Sequence, residues 1–264
     1  MELLINRGDF EILASSPNPL NMIKKAACTC YQSEQRTMKD DKEFVKMLAN
    51  RGHWSMFDHV SATVWFKNTS RGLSHELVRH RLAAFAQEST RYVDPTEDPL
   101  TGEPAVTNLK VVAPPHRDVE IQHDVQGVGK KSFREMAQIV ENFYKALRQA
   151  GWAQEDARQI LPIGTKSEIV MTADFTEWRH VFRLRTQKAA HWEIRTVMCK
   201  LLEEFKTLFA PVFDDFVLVG KDKNHVPYYK IAGYVKDATA LIDNAVKAYP
   251  ENKEFGEYLK EQLK

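Results

Sequence analysis

Several classes of protein are set aside by what this chain has little of. Its three cysteines, Cys28, Cys30 and Cys199, are too few and too unevenly spaced for a disulfide framework or a four-ligand zinc site, so no metal centre is expected. No stretch approaches the roughly eighteen apolar residues of a membrane span, and the first residues lack a signal peptide's apolar core; no membrane association and a reduced, cytoplasmic setting are expected. The formal net charge is only +1, so any basic patch is local and the chain is not expected to coat nucleic acid. There is no internal repeat and no low-complexity segment. What is present is 264 residues with 43% hydrophobic content, enough to bury a sizeable core in one large domain.

Periodicity sketches the elements. Residues 10–14 read as a short strand and 19–31 as a helix, with Asn18 as its N-cap and Pro19 at its first position. Cys28 and Cys30 then fall among small buried residues near the helix end. A second helix over 41–50 stops at Gly52. Over 59–66 the side chains alternate, with Val60, Ala62, Val64 and Phe66 on one face, which predicts a half-buried strand. Ser70 is a candidate N-cap for a helix running through Arg81, and 85–89 reads as a returning strand. A loop over 94–104 and a strand over 105–113 follow. The Gly127 region lacks the glycine and hydroxyl positions of a phosphate loop and reads as a surface turn. Helices are expected over 133–147, 154–161, 176–185 and 189–209, with a strand over 168–173. Beyond residue 217 the pattern weakens, and 234–248 and 251–263 read as amphipathic helices of a C-terminal helical extension, 218–264.

The most informative stretch is 79–92. Arg79-His80-Arg81 is followed, after seven residues, by Ser89-Thr90-Arg91-Tyr92. Guanidinium groups are always charged and fork bidentately onto phosphate, so this cluster suits a ligand with more than one anionic group. Read alone, the same charges also describe a solvated helix end answering the helix dipole. Likewise Glu193 and Arg195 read as a helix-surface ion pair, and Cys199 as a core residue.

Arg-His-Arg, seven residues, then Ser resembles the signature of flavin-dependent thymidylate synthases. The segments Gly52-His53-Trp54-Ser55, Ala157-Arg158-Gln159-Ile160-Leu161-Pro162, Leu184-Arg185 and Trp192-Glu193-Ile194-Arg195 occur in that family's order, so the resemblance covers about 10–217. It implies an α+β fold with a central antiparallel or mixed sheet flanked by helices, a catalytic domain over 1–217, and a homotetramer with active sites at subunit contacts. The implied activity is reductive methylation of dUMP to dTMP, with FAD as hydride carrier and with NADPH and methylenetetrahydrofolate as co-substrates. By position, Glu76, Arg79, Gln87, Glu88, Ser89, Thr90, Arg91, Arg158 and Arg185 match the dUMP site, with Arg185 stabilising charge on the uracil ring. His53, Ser55, Asp58, Arg79, His80, Arg81, Gln87, Asp174, Thr176 and His180 match the FAD site.

The chain departs from the family at Glu76, where Gln is usual, at Ala86, and at Asp174 and Thr176, which replace an Asn-x-Arg that helps hold FAD. An acid at 174 and no arginine at 176 weaken attraction for a pyrophosphate. The alternative function is therefore a non-catalytic or altered-specificity nucleotide- or flavin-binding relative. An RNA-binding module built on Arg71, Arg79, Arg81 and Arg91 lacks the basic surplus and interleaved aromatics that such binding needs.

Overall fold

Alternation in the third strand seeds the principal sheet. The computed structural model describes residues 1–33, 40–95 and 109–232, together with Asp243, Lys253, Glu254, Glu257, Lys260 and Glu261. In chain order its elements are β1 Glu2–Ile5, β2 Asp9–Ser15, α1 Pro19–Tyr31, α2 Asp41–Asn50, a 3-10 helix Trp54–His59, β3 Ser61–Ser70, α3 Arg71–Leu77 and β4 Ala83–Gln87. There follow β5 Lys110–Ala113, β6 His123–Val125, β7 Gly129–Lys131, α4 Phe133–Gln149, and α5 Gln154–Ala157 with a 3-10 turn Arg158–Ile160. The chain continues with β8 Lys166–Asp174, α6 Phe175–Arg185, α7 Trp192–Leu208, β9 Phe216–Lys221 and β10 Pro227–Ile231. Two compact units are interleaved along it: Met1–Ser15 with Ser61–Ala173, and Ser16–Val60 with Asp174–Lys264.

The first unit holds a four-stranded sheet in the order β2-β3-β8-β4. Ala62, Val64 and Phe66 of β3 and Ile169, Met171 and Ala173 of β8 are buried on alternate positions, as period-2 patterning requires. On the other face Thr63 and Thr172 bond hydroxyl to hydroxyl at 2.9 Å. β2 and β4 run antiparallel to their partners, while β1 and β5 form a separate parallel pair. The Gly127 turn is a hairpin between β6 and β7, with Gly127 and Gly129 at positive φ. Ser132 then opens α4 with a capping box, its hydroxyl accepting from the Glu135 amide and the Glu135 carboxylate accepting from the Ser132 amide.

Several expectations shift. Ser70 does cap α3, its hydroxyl accepting from the Leu73 amide at 3.0 Å, but the helix ends at Leu77. The basic triplet therefore lies on the turn beyond it. Pairing of Ala83 with Ala173 fixes where β4 must begin, and the chain spends residues 78–82 on the reversal. β4 is accordingly displaced towards the N-terminus of the expected strand, leaving Ser89 in a loop. Asn18 occupies the N-cap position of α1 in the left-handed region and makes no side-chain cap. Cys28 is buried, whereas Cys30 is exposed.

The second unit is organised by aromatic rings. Phe182 and Phe205 meet edge to face at 5.2 Å, Phe205 and Phe209 at 5.0 Å, and Trp178 and Phe205 at 5.3 Å, the geometry that the ring quadrupoles favour. Residues 216–231, expected in part to open a helical extension, form instead an antiparallel hairpin of β9 and β10. Two runs rich in β-branched and aromatic residues flank a turn in which the Asp222 carboxylate accepts from the amides of Asn224 and Val226, at 2.9 and 3.0 Å. The helices expected over 234–248 and 251–263 lie outside the described residues, apart from isolated positions.

The hairpin also corrects the reading of Arg195. Both Arg195 and Glu193 are buried, and the Arg195 guanidinium pairs with Asp222 while donating to the carbonyls of Lys188 and Ala190. Burial pushes the Asp222 pKa up, but the two amides and the Arg195 cation outweigh it and hold the carboxyl below its ordinary value. Asp222→Ala should cost about 2–3 kcal/mol at neutral pH, less than the usual loss on breaking a buried pair because Arg195 keeps its carbonyl partners. With the folded pKa depressed, this stabilisation is present above the unfolded value near about 3.9 and is lost as pH falls through the folded one. Urea denaturation at neutral pH and near about pH 3 should show wild type and variant converging in acid.

Candidate active site

In the first unit the segment that follows the β4–β8 pairing brings Thr90 to the wall of a cleft. The Glu88 amide donates to the Glu168 carbonyl at 2.9 Å, continuing the β4–β8 ladder one residue further. The Glu88 carboxylate accepts from the Glu168 amide at 3.0 Å and from Lys166 Nζ at 3.1 Å. Burial works to lower the Lys166 pKa, but Glu168 and Glu88 overcome it and raise the value, so the ammonium stays charged. Glu88, matched above to substrate binding, thus has its carboxylate occupied in anchoring the loop. Gln87 is similarly engaged, its amide nitrogen donating to the hydroxyls of Ser74 at 2.7 Å and Ser167 at 3.2 Å.

Beyond this anchor the chain turns. The Ser89 hydroxyl accepts from the Arg91 amide at 3.3 Å, and its carbonyl accepts from the amide of Val93 at 2.9 Å. Thr90 Oγ1 accepts from Arg158 Nη1 at 3.1 Å, which brings together two residues far apart in sequence. Arg91 pairs with Glu155 at 2.8 Å, both about half exposed, a contact weak enough for an incoming anion to displace. Thr90 and Arg158 line a cleft of about 390 Å³ together with Arg71, His75, Pro162 and Ile163. Arg79 and Arg81 lie exposed on the turn before β4, and among the described residues neither makes a hydrogen bond or ion pair; His80 between them is buried.

The remaining matched residues belong to the second unit. His53, Ser55 and Asp58 are exposed on or beside the 3-10 helix Trp54–His59. Asp174 is the N-cap of α6, its carboxylate accepting from the Glu177 amide at 2.7 Å, and Thr176 Oγ1 donates to the Trp54 carbonyl at 3.1 Å. The two departures at 174 and 176 therefore do local work, one starting α6 and the other tying it to the 3-10 helix. Burial raises the Asp174 pKa, Asp58 adds to this, and the Glu177 and Thr176 amides oppose it. Arg179 is clamped by both oxygens of Asp215, with its guanidinium 3.9 Å from the Trp54 ring centre. His180 Nδ1 lies 3.2 Å from Arg183, and burial, Arg183 and Arg185 together lower its pKa, favouring the neutral ring. Arg185 ends α6, half-buried, and its successor Thr186 is held by the β10 amide of Tyr229 at 2.9 Å.

Arg71 and His75 are cleft residues that the motif reading did not place there. A signal existed: Arg71 follows the N-cap Ser70, and a cation at the first position of a helix opposes the helix dipole.

These features define an α+β protein with a cationic, hydroxyl-bearing cleft beside its main sheet. A model of the family described as thymidylate synthase complementing protein matches residues 11–212, and the chain belongs to that family. The flavin-dependent thymidylate synthase of Geobacter sulfurreducens is 32% identical over 211 residues, covering 77% of this chain and 84% of the relative. That of Thermococcus onnurineus is 34% identical over 193 residues, covering 70% and 74% respectively. In fold the chain is similar to the UMP/dUMP methylase PolB from Streptomyces cacaoi bound with 5-Br dUMP, with a TM-score of 0.62, 20% identity and coverage of 81% of this chain and 96% of that one. It is also similar to Thymidylate Synthase X from Helicobacter pylori with FAD and dUMP, with a TM-score of 0.58, 21% identity and coverage of 78% and 99%.

Asp174 offers a direct test of the local reading. Asp174→Ala should cost about 1 kcal/mol through the lost cap, whereas Asp174→Asn keeps the cap, removes charge beside Asp58 and should be neutral or stabilising by urea denaturation.

Proposed function

We infer that the chain is a flavin-dependent thymidylate synthase, which makes dTMP from dUMP. The observation that carries this is the match to the family over 11–212 with curated relatives of that activity, and the cleft of the first unit suits the substrate. Thr90 and Arg158, with the Ser89 turn and Arg91, offer a hydroxyl, an amide turn and two guanidinium groups to the nucleotide's phosphate and sugar. Glu88 and Gln87 support this segment from behind, through Lys166, Glu168, Ser74 and Ser167.

The donor set also fits the flavin cofactor. Arg79 and Arg81 are exposed cations with unspent donors, the chemistry that a pyrophosphate requires, and they would hold FAD in the first unit beside His80. From the second unit His53, Ser55, Asp58 and His180 are the residues assigned to it by family position, while Asp174 and Thr176 contribute through the α6 cap and the Trp54 contact. When bound, FAD supplies the hydride that NADPH provides, and methylenetetrahydrofolate supplies the carbon. Arg185 places a guanidinium at the end of α6, where it would stabilise negative charge developing on the uracil ring during activation.

Cys199 is a poor thiol nucleophile. Burial pushes the Cys199 pKa up to about 12, and its sulfur donates to the Pro227 carbonyl, so no thiolate forms there at neutral pH. Four copies of the chain would assemble, with active sites built where subunits meet. The reading also places the enzyme in the cytoplasm; no helix among the described residues is long and apolar enough to cross a membrane.

Purified protein should be yellow with a flavin spectrum, form dTMP from dUMP, methylenetetrahydrofolate and NADPH, and scatter light as a tetramer. Changing Cys28, Cys30 and Cys199 together to Ala should leave turnover intact in folded protein; abolished turnover there would implicate a thiol. Arg185→Ala should bind FAD normally yet slow single-turnover reoxidation in the presence of dUMP and methylenetetrahydrofolate by about 10²–10³, the loss expected for one preorganised electrostatic group. Arg185→Lys should recover little, because a point charge lacks the planar fork. An unchanged single-turnover rate would remove Arg185 from the chemistry.

A further inference from the structure

We propose that Arg71 is a phosphate-binding residue of the nucleotide cleft, gripping the substrate's phosphate monoester opposite Arg158. The inference rests on the reading of this cleft as the dUMP site and adds to it a residue outside the Arg79–Arg91 motif. Arg71 lines the same cleft as Thr90 and Arg158, and among the described residues no carboxylate lines it with them. Glu155, three residues before Arg158, is engaged elsewhere, since it pairs with Arg91. Two guanidinium groups, the His75 imidazole and a threonine hydroxyl thus face one concavity without internal neutralisation, which is the composition of an anion site.

The second observation concerns hydrogen bonding. Arg71 Nη1 is sealed from water and has no hydrogen-bond partner among the described residues. A buried unsatisfied donor on a cation destabilises the fold, so its retention calls for a partner beyond the described residues. Arg71 does not serve its helix either, because it stands at the first position of α3, where a cation opposes the dipole. Its backbone is nevertheless firmly placed. The Arg71 amide donates to Thr165 at 2.9 Å, the Gly72 amide to Ile163 at 3.0 Å, and the Arg71 carbonyl accepts from the Ser74 hydroxyl at 2.9 Å. A guanidinium carried on a firmly held backbone, with an unspent donor at Nη1, suits a dianionic, tetrahedral group.

Calorimetric titration of the full chain with dUMP and, separately, deoxyuridine tests this. Arg71→Met should raise the dUMP dissociation constant about 10–100-fold and leave deoxyuridine unchanged, with Arg71→Lys in between. The ligand-free melting temperature of Arg71→Met should match or exceed that of the wild type, since the unsatisfied donor is gone. Unchanged dUMP affinity in a folded variant overturns the proposal, as does an equal loss for dUMP and deoxyuridine. A loss confined to NADPH relative to NADH would assign the residue to the reductant's phosphate and likewise overturn it. Arg158→Ala separates the two levels: if it leaves dUMP affinity intact, the cleft is not the nucleotide site, whereas if it weakens dUMP and Arg71→Met does not, only the present inference fails.

Discussion

The pairing of β4 with β8 is the constraint on which the first unit's chemistry depends. Ala83 opposite Ala173 through Gln87 opposite Ile169 sets the register, and the Glu88 amide and carboxylate carry that register one residue past the strand. A slip by one residue would turn every β4 side chain to the other face and break the contacts of Glu88 with Lys166 and Glu168. Because the loop is clamped at this point, Ser89, Thr90 and Arg91 leave the sheet at a defined place. A ligand then meets donors that are already oriented, and less of the binding energy is lost to ordering a chain.

In the second unit the corresponding role falls to the ion pair between Arg195 and Asp222. It joins the start of α7 to the turn of a hairpin, while Tyr229 takes the carbonyl of Thr186. Arg185, the last residue of α6, directly precedes the hydrogen-bonded anchor at Thr186. The hairpin lies beyond the part of the chain that the family model matches, residues 11–212. Its hydrogen bonds nevertheless reach residues within the matched span, so its removal would be felt inside the family portion of the unit.

The departures at Asp174 and Thr176 look, on paper, like losses of cofactor affinity. In the structure each has a definite partner, the Glu177 amide and the Trp54 carbonyl. An acid that is partly buried near Asp58 carries a cost, visible in its raised pKa, and the cap offsets it. Capping needs only a short side chain with an acceptor oxygen, a requirement met equally by Asp and Asn, so the same position supports α6 with either residue.

Read by itself, the sequence determined several of the helical and extended segments, because 3.6- and 2-residue periodicities are local properties of the side chains: α1, α2, α4 and β3 stand close to where the pattern places them. The order of the Arg-His-Arg, Ser-Thr-Arg and Ala-Arg segments also pointed to the family whose model matches residues 11–212. Tertiary structure alone decided the rest. Where α3 stops is set by the partner strand of β4, not by any glycine or proline at its end. Whether Arg195 is a surface residue or a buried anchor depends on Asp222, 27 positions away. The hairpin over 216–231 was legible only in its β-branched and aromatic residues, a signal that competes with helix patterning over so short a run. Arg71 enters the cleft because Arg158 and Thr90, 68 residues apart, meet there. No local pattern encodes such a meeting, because it follows from which strands pair and in what register.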